Sequence, residues 1–403
     1  MKNLLQIIVS VILFTDIFAV SIKKGHSNFI FNPTTFLAAS QDAKPIVIDS
    51  GYGYIKIGFG GDNKPKSVFP SLVGTDGSIG EAAVAQADKL KIQHPIDRAD
   101  GTPSWEGVQA LWKHAYEKEL KVEPSSAPVL LTGRLLNNKE YREKIMEILF
   151  KTFKVPALNF IHPAVAALAA VKRTTGIVVN VGEGDLSVVP VVDSLPLSNA
   201  IITAPLGGGE ITDYLVKLLK DAQYNFQTYE EREIVRNIKE TLCFVAPDFN
   251  ELMSRAETTS EFEKNYELPD GQVITVGRER FSAPEVLFKP SLIGLESEGI
   301  HNLIYGSIMK TDPKVRKDLY NNIVLTGGST LFNSIDERLL KEISAIASPT
   351  VRISVIASPQ RGSLSWIGAS KASSSFESSW ISVDDYSEKG PSILKTKDYY
   401  KTS

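Results

Sequence analysis

The sequence predicts an α/β fold made of two related halves around a ligand cleft. Strands alternate with amphipathic helices along the chain, and a glycine turn between two strands occurs twice, at 49–53 and at 180–184. Alternating strands and helices are typical of mixed sheets with helices on both faces. Because ligands of such sheets bind at loops beyond the strand ends, we expect both glycine turns to face one cleft.

Each of these two turns has the sequence of a hairpin tip. The first is Asp49-Ser-Gly-Tyr-Gly53 and the second is Asn180-Val-Gly-Glu-Gly184. Glycine at a tip lets backbone N–H groups approach and cradle an anion such as phosphate. One such turn is usually an ordinary hairpin, but two facing each other predict a grip on the phosphates of a nucleotide. The flanking strands are predicted over 45–48, 55–59, 176–180 and 186–190.

A third glycine turn follows a buried strand in the run 322–331. Its Gly-Gly pair is expected to open a helix, an arrangement that places a nucleoside against backbone and a helix N-terminus. Elsewhere, apolar residues at helical spacing behind Ser104 predict a capped helix. The predicted helices are 104–120, 138–153, 163–171 and 229–246, with strands over 127–131 and 157–161.

The chain resembles the actin and actin-related protein family over about residues 43–393. The resemblance rests on many ordered runs along the chain and implies an actin-like ATPase fold with a nucleotide between two α/β domains. Those runs include Val68-Phe-Pro-Ser71, Arg173-Thr-Thr-Gly176, Ile211-Thr-Asp-Tyr-Leu215, Glu231-Arg-Glu-Ile-Val-Arg236, Tyr266-Glu-Leu-Pro-Asp-Gly-Gln-Val-Ile274, Lys317-Asp-Leu-Tyr320, Trp366-Ile-Gly368 and Gly390-Pro-Ser-Ile393.

The resemblance also implies a domain division. The first domain covers 43–176 and is joined by the C-terminal segment 363–403, and the second covers 177–362. Residues 1–42 form an apolar N-terminal segment and a linker. Residues 1–21 have the charged start, apolar middle and small-residue exit of a secretory signal peptide. An extra apolar helix, or a start site placed too far upstream, remain alternatives for that segment.

The cofactor implied by the resemblance is ATP or ADP with Mg²⁺ or Ca²⁺. Lys56 matches the lysine that contacts the phosphates, and Asp49 matches the acid that orders water around the cation. Arg236, Lys239 and Glu240 share one helix face and would support adenine and ribose, although a charged solvent face is the alternative. The full set of expected binding residues is Asp49, Gly51, Tyr52, Gly53, Lys56, Gly182, Glu183, Gly184, Gly208, Arg236, Lys239, Glu240, Gly327, Gly328, Leu331 and Phe332.

The sequence departs from the family pattern at the positions that would carry out ATP hydrolysis. The glutamine, aspartate and histidine that position the attacking water are replaced by Pro163, Asn180 and Ser187, so the catalytic residues are unknown and weak or absent hydrolysis is expected. Tyr52 stands where the family has a small hydroxyl beside the terminal phosphate, and it would either bond that phosphate or crowd it out. In addition, Glu183 replaces an aspartate and Gly362 a lysine near the adenine.

Self-polymerisation is also expected to be impaired. Between Gly74 and Pro95 the chain is about a dozen residues shorter than actin, more than an ordinary connecting loop, in the region of the loop that inserts into the next subunit. Ala169 and Lys172 replace a tyrosine and a glycine at the opposite cleft, and the tail 395–403 differs from the family's apolar end.

Composition agrees with a globular protein of two domains. The chain has 403 residues, of which 43% are hydrophobic and 23% charged, and its net charge of -3 gives no reason to expect nucleic acid or an anionic membrane as a partner. The single cysteine, Cys243, excludes an intramolecular disulfide and is predicted to be a core residue of helix 229–246. The five histidines lack the spacing of metal ligands.

Two hypotheses follow. The first is a divergent actin-like cytoskeletal protein that binds ATP or ADP, hydrolyses it weakly, and works with actin, actin-related subunits or actin-binding proteins in the cytoplasm. The second is a conventional actin-type ATPase that forms filaments, with Asn180 or Glu183 handling the water. A phosphotransferase of the sugar-kinase or Hsp70 folds is a distant third, because the actin-like runs between 266 and 328 argue against it. Secretory routing and membrane contact stay open while the N-terminal segment is unassigned.

Overall fold

The structure is a computed structural model that describes residues 44–98, 101–375 and 379–397. The predicted signal peptide and linker, and the last residues of the tail, lie outside these ranges. No helix within them has the length and apolarity needed to cross a bilayer.

Two six-stranded mixed sheets carry the fold, and their strands pair in the same way. In chain order the strands are β1 (Ile46–Ser50), β2 (Tyr54–Phe59), β3 (Ser67–Pro70), β4 (Val73–Gly74), β5 (Ile92–Gln93), β6 (Val129–Gly133), β7 (Ala157–Phe160), β8 (Gly176–Val181), β9 (Leu186–Val192), β10 (Leu195–Pro196), β11 (Ile202–Ala204), β12 (Lys264–Glu267), β13 (Val273–Val276), β14 (Ile323–Thr326), β15 (Val355–Ile356) and β16 (Ile381–Ser382). In the first sheet, β1 pairs antiparallel with β2 and parallel with β6, and in the second β8 pairs antiparallel with β9 and parallel with β14. The first sheet has the order β16-β7-β6-β1-β2-β3, and the second β10-β9-β8-β14-β15 with β11 also on β9.

Helices cover both sheets and bury an apolar core on each. The first core contains Trp112 and Tyr116, and the second contains Ile211 and Leu215. The α-helices are α1 (Glu81–Val84), α2 (Trp105–His114), α3 (Lys139–Glu147), α4 (Pro163–Ala170), α5 (Gly208–Asp221), α6 (Tyr229–Leu242), α7 (Phe249–Ala256), α8 (Glu279–Ser282), α9 (Ile300–Met309), α10 (Pro313–Tyr320), α11 (Ile335–Ile346), α12 (Leu364–Ala372), α13 (Val383–Lys389) and α14 (Leu394–Lys397).

The predicted α/β fold with two related halves is confirmed. The C-terminal part of the chain returns to the first sheet, where β16 pairs with β7 and the indole N–H of Trp366 on α12 donates to the Val47 carbonyl at 3.0 Å. The domain boundaries at 176/177 and 362/363 stay predictions.

Most predicted elements form, with local differences at their ends. Ser104 caps α2 as expected, but α2 and α3 each continue as a π-helical segment, Ala115–Leu120 and Ile148–Thr152. The helix predicted over 229–246 ends at Leu242, so Cys243 is not a helical residue. Cys243 adopts an extended backbone at the helix end and is buried, as expected of a core residue.

The third glycine turn also differs from its prediction. Gly327 and Gly328 lead into a single 3₁₀ turn, Gly328–Thr330, and α11 begins only at Ile335. The φ of Gly327 is +93°, and a Cβ added there would lie 2.3 Å from the Val181 carbonyl oxygen. The turn therefore requires glycine for close contact with β8, rather than for the start of a helix.

Candidate functional site

All three glycine turns line one cleft between the sheets, with a volume of about 1260 Å³. Fourteen of the sixteen predicted binding residues line it, together with Pro163, Asn180, Ser187 and Gly362. The two exceptions contact lining residues: Gly208 lies beside Glu183 and Lys239, and Arg236 bonds Glu240. The lining members of the predicted set are Asp49, Gly51, Tyr52, Gly53, Lys56, Gly182, Glu183, Gly184, Lys239, Glu240, Gly327, Gly328, Leu331 and Phe332.

The first hairpin presents an ion pair. Asp49 and Lys56 face each other across β1 and β2, and Lys56 Nζ donates to Asp49 Oδ2 at 3.1 Å. Both side chains are largely buried, at 10% and 18% exposure. The lysine predicted to contact phosphate and the acid predicted to order cation-bound water thus balance each other's charge at the cleft wall.

At the second hairpin, Glu183 turns its carboxylate toward Lys239. A Cβ added to Gly208 would lie 2.5 Å from Glu183 Oε2 and 3.2 Å from Lys239 Nζ, so glycine leaves room for both groups. Lys239 is 3% exposed and donates to the Gly208 carbonyl and the Thr212 hydroxyl, both at 2.9 Å. Burial raises the pKa of Glu183 and lowers that of Lys239, while their mutual attraction opposes both shifts.

The charged face of α6 is only partly available. Arg236 donates to Glu233 at 2.9 Å and to Glu240 at 3.1 Å, and its guanidinium lies 4.9 Å from the centre of the Tyr54 ring. Arg236 therefore holds Glu240 and Tyr54 at the cleft and does not line it. Lys239 and Glu240 do line it.

The three replaced family positions come together in the cleft. Asn180 lies opposite Ser187 in the β8–β9 pair, as Asp49 lies opposite Lys56 in β1–β2. Pro163 is the first residue of α4, where proline is well tolerated. The helix is capped by His162, whose Nδ1 accepts from the Ala164 N–H at 3.1 Å. A neutral amide, a hydroxyl and a proline thus occupy the three positions for which the resemblance predicts water-positioning groups.

Sequence reasoning missed a group of charged residues at the hairpin tips. Arg98 pairs with Glu210, and its Nε is 3.5 Å from the Gly184 carbonyl oxygen. Arg134 Nε lies 3.8 Å from Asp185 Oδ2, and another of its N–H groups donates to the Arg98 carbonyl at 3.3 Å. These five residues connect the two halves of the chain.

A signal for Arg134 was available in the internal repeat. Gly133 ends β6 with a φ of +131° and approaches the Ser50 carbonyl, as Gly327 approaches that of Val181. Gly133-Arg134 therefore corresponds in the first half to Gly327-Gly328 in the second. Aligning the two halves would have placed Arg134 at the cleft.

A comparison with protein families agrees with this architecture. The model of the actin family matches residues 40–398, nearly the whole chain. Members of this family generally bind a nucleotide with a divalent cation. The two related sheets, the cleft lined by three glycine turns and the match over almost the full length lead to one conclusion: the chain belongs to the actin family.

Proposed function

We propose that this protein is a divergent actin-like cytoskeletal protein that binds an adenine nucleotide with Mg²⁺ or Ca²⁺ in the cleft. Hydrolysis would be weak or absent and self-polymerisation impaired. Its partners would be actin, actin-related subunits or actin-binding proteins in the cytoplasm. Secretory routing remains the alternative if residues 1–21 are a true signal peptide.

The observation that best supports nucleotide binding is the open space beside two glycine residues of the cleft. A Cβ added to Gly328 would meet no atom within 4 Å, and one added to Gly182 none closer than 3.8 Å. Neither residue has a positive φ. Because neither backbone strain nor packing within the protein requires glycine there, a bound group that approaches the backbone closely is the better explanation.

The charged residues fit a nucleotide as well. Lys56 would contact the phosphates, and Asp49 would hold cation-bound water, since Mg²⁺ sites often keep several waters. For the nucleoside, Lys239 offers a cation and Glu240 a hydrogen-bond acceptor. Phe332 offers an apolar wall. Among the described residues no group of three or more His, Cys, Asp or Glu could hold a metal ion directly.

The test uses the purified full chain. Acid extraction and mass spectrometry should find a co-purified adenine nucleotide, or added ADP with Mg²⁺ should raise the melting temperature. The Gly328→Ala variant should fold normally and bind ADP about tenfold more weakly. Gly306→Ala is the matched control, since Gly306 does not line the cleft and its added Cβ would meet only Ile202, at 3.7 Å. If neither nucleotide nor thermal shift is found, the proposal is wrong.

A further inference from the structure

We infer that the cleft selects a nucleoside diphosphate over a triphosphate, because the Tyr52 ring and the Glu183 stem already fill the gap between the two hairpin tips at its phosphate end. This inference rests on the proposed nucleotide binding. It names the ligand class of the same site and assigns the selectivity to residues at the two hairpin tips.

The Tyr52 side chain occupies the gap between the hairpins. A Cβ added to Gly184 would lie 2.9 Å from Tyr52 Cδ1 and 3.0 Å from its Cγ, so the ring lies against the backbone of the second tip. The ring also stacks on His94, with ring centres 4.2 Å apart. His94 Nδ1 is also 3.1 Å from the Tyr52 carbonyl oxygen and 3.0 Å from that of Ser71. The ring therefore contacts both the second tip and the His94 ring, and the Tyr52 backbone is tied to His94.

The tips also touch beside this ring. A Cβ added to Gly53 would lie 2.6 Å from Glu183 Cβ. The two backbones that would grip a phosphate tail thus have a tyrosine ring and a glutamate stem between them. A terminal phosphate would have to displace at least one of these groups, and well-packed sites oppose such displacement.

The nearby cations are already paired with carboxylates. Glu210 pairs with Arg98 and accepts from the Gly207 N–H at 2.7 Å, which fixes its position at the start of α5. Asp185 lies 3.8 Å from Arg134 and is itself largely enclosed, with 26% of its side chain exposed. A third phosphate would compete with these carboxylates for the two guanidinium groups. The filled gap therefore opposes a third phosphate by its shape, the kind of repulsive element that produces specificity. The guanidinium of Arg134, whose buried Nη1 has no hydrogen-bond partner among the described residues, would favour a third phosphate once the gap is opened.

A binding experiment on the full chain tests the inference. ADP and the β,γ-imido analogue of ATP, each with Mg²⁺, are titrated calorimetrically into the native protein and into Tyr52→Ser. We expect the native protein to bind ADP at least about tenfold tighter than the analogue. Tyr52→Ser should bring the two affinities within about threefold by strengthening triphosphate binding, because it opens the gap beside Arg98 and Arg134.

Two further variants separate the effect of the Tyr52 ring volume on binding from a general loss of structure. Tyr52→Phe keeps the ring and should keep the discrimination. Tyr141→Ser removes a partly buried ring whose centre lies 5.7 Å from that of the Trp105 ring. Because Tyr141 does not line the cleft, this variant should leave both affinities unchanged. Equal native affinities for the two ligands, or unchanged discrimination in folded Tyr52→Ser, would overturn the inference and leave the proposed nucleotide binding intact. Binding of neither ligand by the native protein would overturn both.

Discussion

Lys56 Nζ lies 3.1 Å from Asp49 Oδ2 across the first hairpin, which ties the predicted phosphate contact to the predicted cation-water contact. The corresponding cross-strand pair of the second hairpin, Asn180 and Ser187, carries no charge. The two halves thus share a backbone plan and differ in charge. Of these two cross-strand pairs, only the first would therefore offer a cation to a bound phosphate tail.

Lys56→Ala should weaken ADP binding about ten- to a hundred-fold, since a charge-assisted contact contributes roughly 1.5 to 3 kcal/mol. Removing the lysine also leaves Asp49 largely buried without its partner, so the free energy of unfolding should fall. Calorimetry and urea denaturation measure the two effects. Lys113→Ala is the control, since Lys113 is an exposed residue paired with Glu117. Native-like affinity in Lys56→Ala would contradict the assignment.

The cap of α4 should make stability depend on pH. Burial lowers the pKa of His162 to about 4, and its Nδ1 accepts from Ala164 only when neutral. Since histidine has a pKa of about 6.5 in the unfolded chain, the unfolded state binds more protons than the folded state below that pH. The stabilisation is complete above about pH 6.5 and is lost as pH falls toward 4, by up to about 3 kcal/mol.

His162→Asn isolates this effect, because asparagine is a good N-cap that does not titrate. Urea denaturation between pH 4 and 7 should show a flatter profile for the variant than for the native chain. Parallel profiles would mean that His162 does not carry the dependence.

The hairpins and strands could be predicted because their signals are local. Gly51, Gly53, Gly182 and Gly184 interrupt runs of alternating β-formers, and such patterns report hairpins directly. The two π segments and the early end of α6 could not be predicted, since tertiary packing decides helix ends.

The charged groups at the tips were missed for a different reason. Arg98 and Glu210 are far apart in sequence, and no local pattern links a loop arginine with the start of α5. Glu183 was expected as a family position, but its approach to Lys239 depends on the missing side chain of Gly208. The sequence identified many of the residues that line the cleft, whereas the choice of ion-pair partners depended on the packing of the two halves.

Intrinsic ATP hydrolysis should be much slower than in conventional actin. Pro163, Asn180 and Ser187 line the cleft without supplying a base, and losing such a group costs about a hundred- to ten-thousand-fold in rate. Phosphate release by the native chain measures this. Restoring Gln, Asp and His at these positions together should raise the rate. An actin-like rate in the native chain would favour the ATPase hypothesis instead.

Lys172→Gly should stabilise the fold by about 1 kcal/mol, because a non-glycine residue with positive φ is strained. Lys172 has a φ of +58° just after α4, where its N–H and that of Arg173 bond the Ala169 and Leu168 carbonyls at 3.0 and 2.9 Å. Lys172→Ala removes the charge and keeps the strain, so it should give no stabilisation in urea. Equal effects of the two changes would assign the gain to charge.

Self-association should be weak. An actin filament is an open chain of heterologous contacts, so each subunit must present two different complementary ends. At one end the shortened segment 74–95 folds back on itself through the pairing of β4 with β5. At the other, Lys172 is exposed and would enter the receiving cleft, where burying its ammonium without an acidic partner costs several kcal/mol.

We therefore expect a monomer, or one subunit of a mixed complex, at micromolar concentration with Mg²⁺ and salt. Sedimentation of the full chain tests this, with conventional actin as the polymerising control. The Ala169→Tyr/Lys172→Gly double variant restores one end only. Since a heterologous chain needs both ends, the variant should remain unpolymerised by itself, and long homopolymers of the native chain in the pellet would contradict the proposed assembly defect.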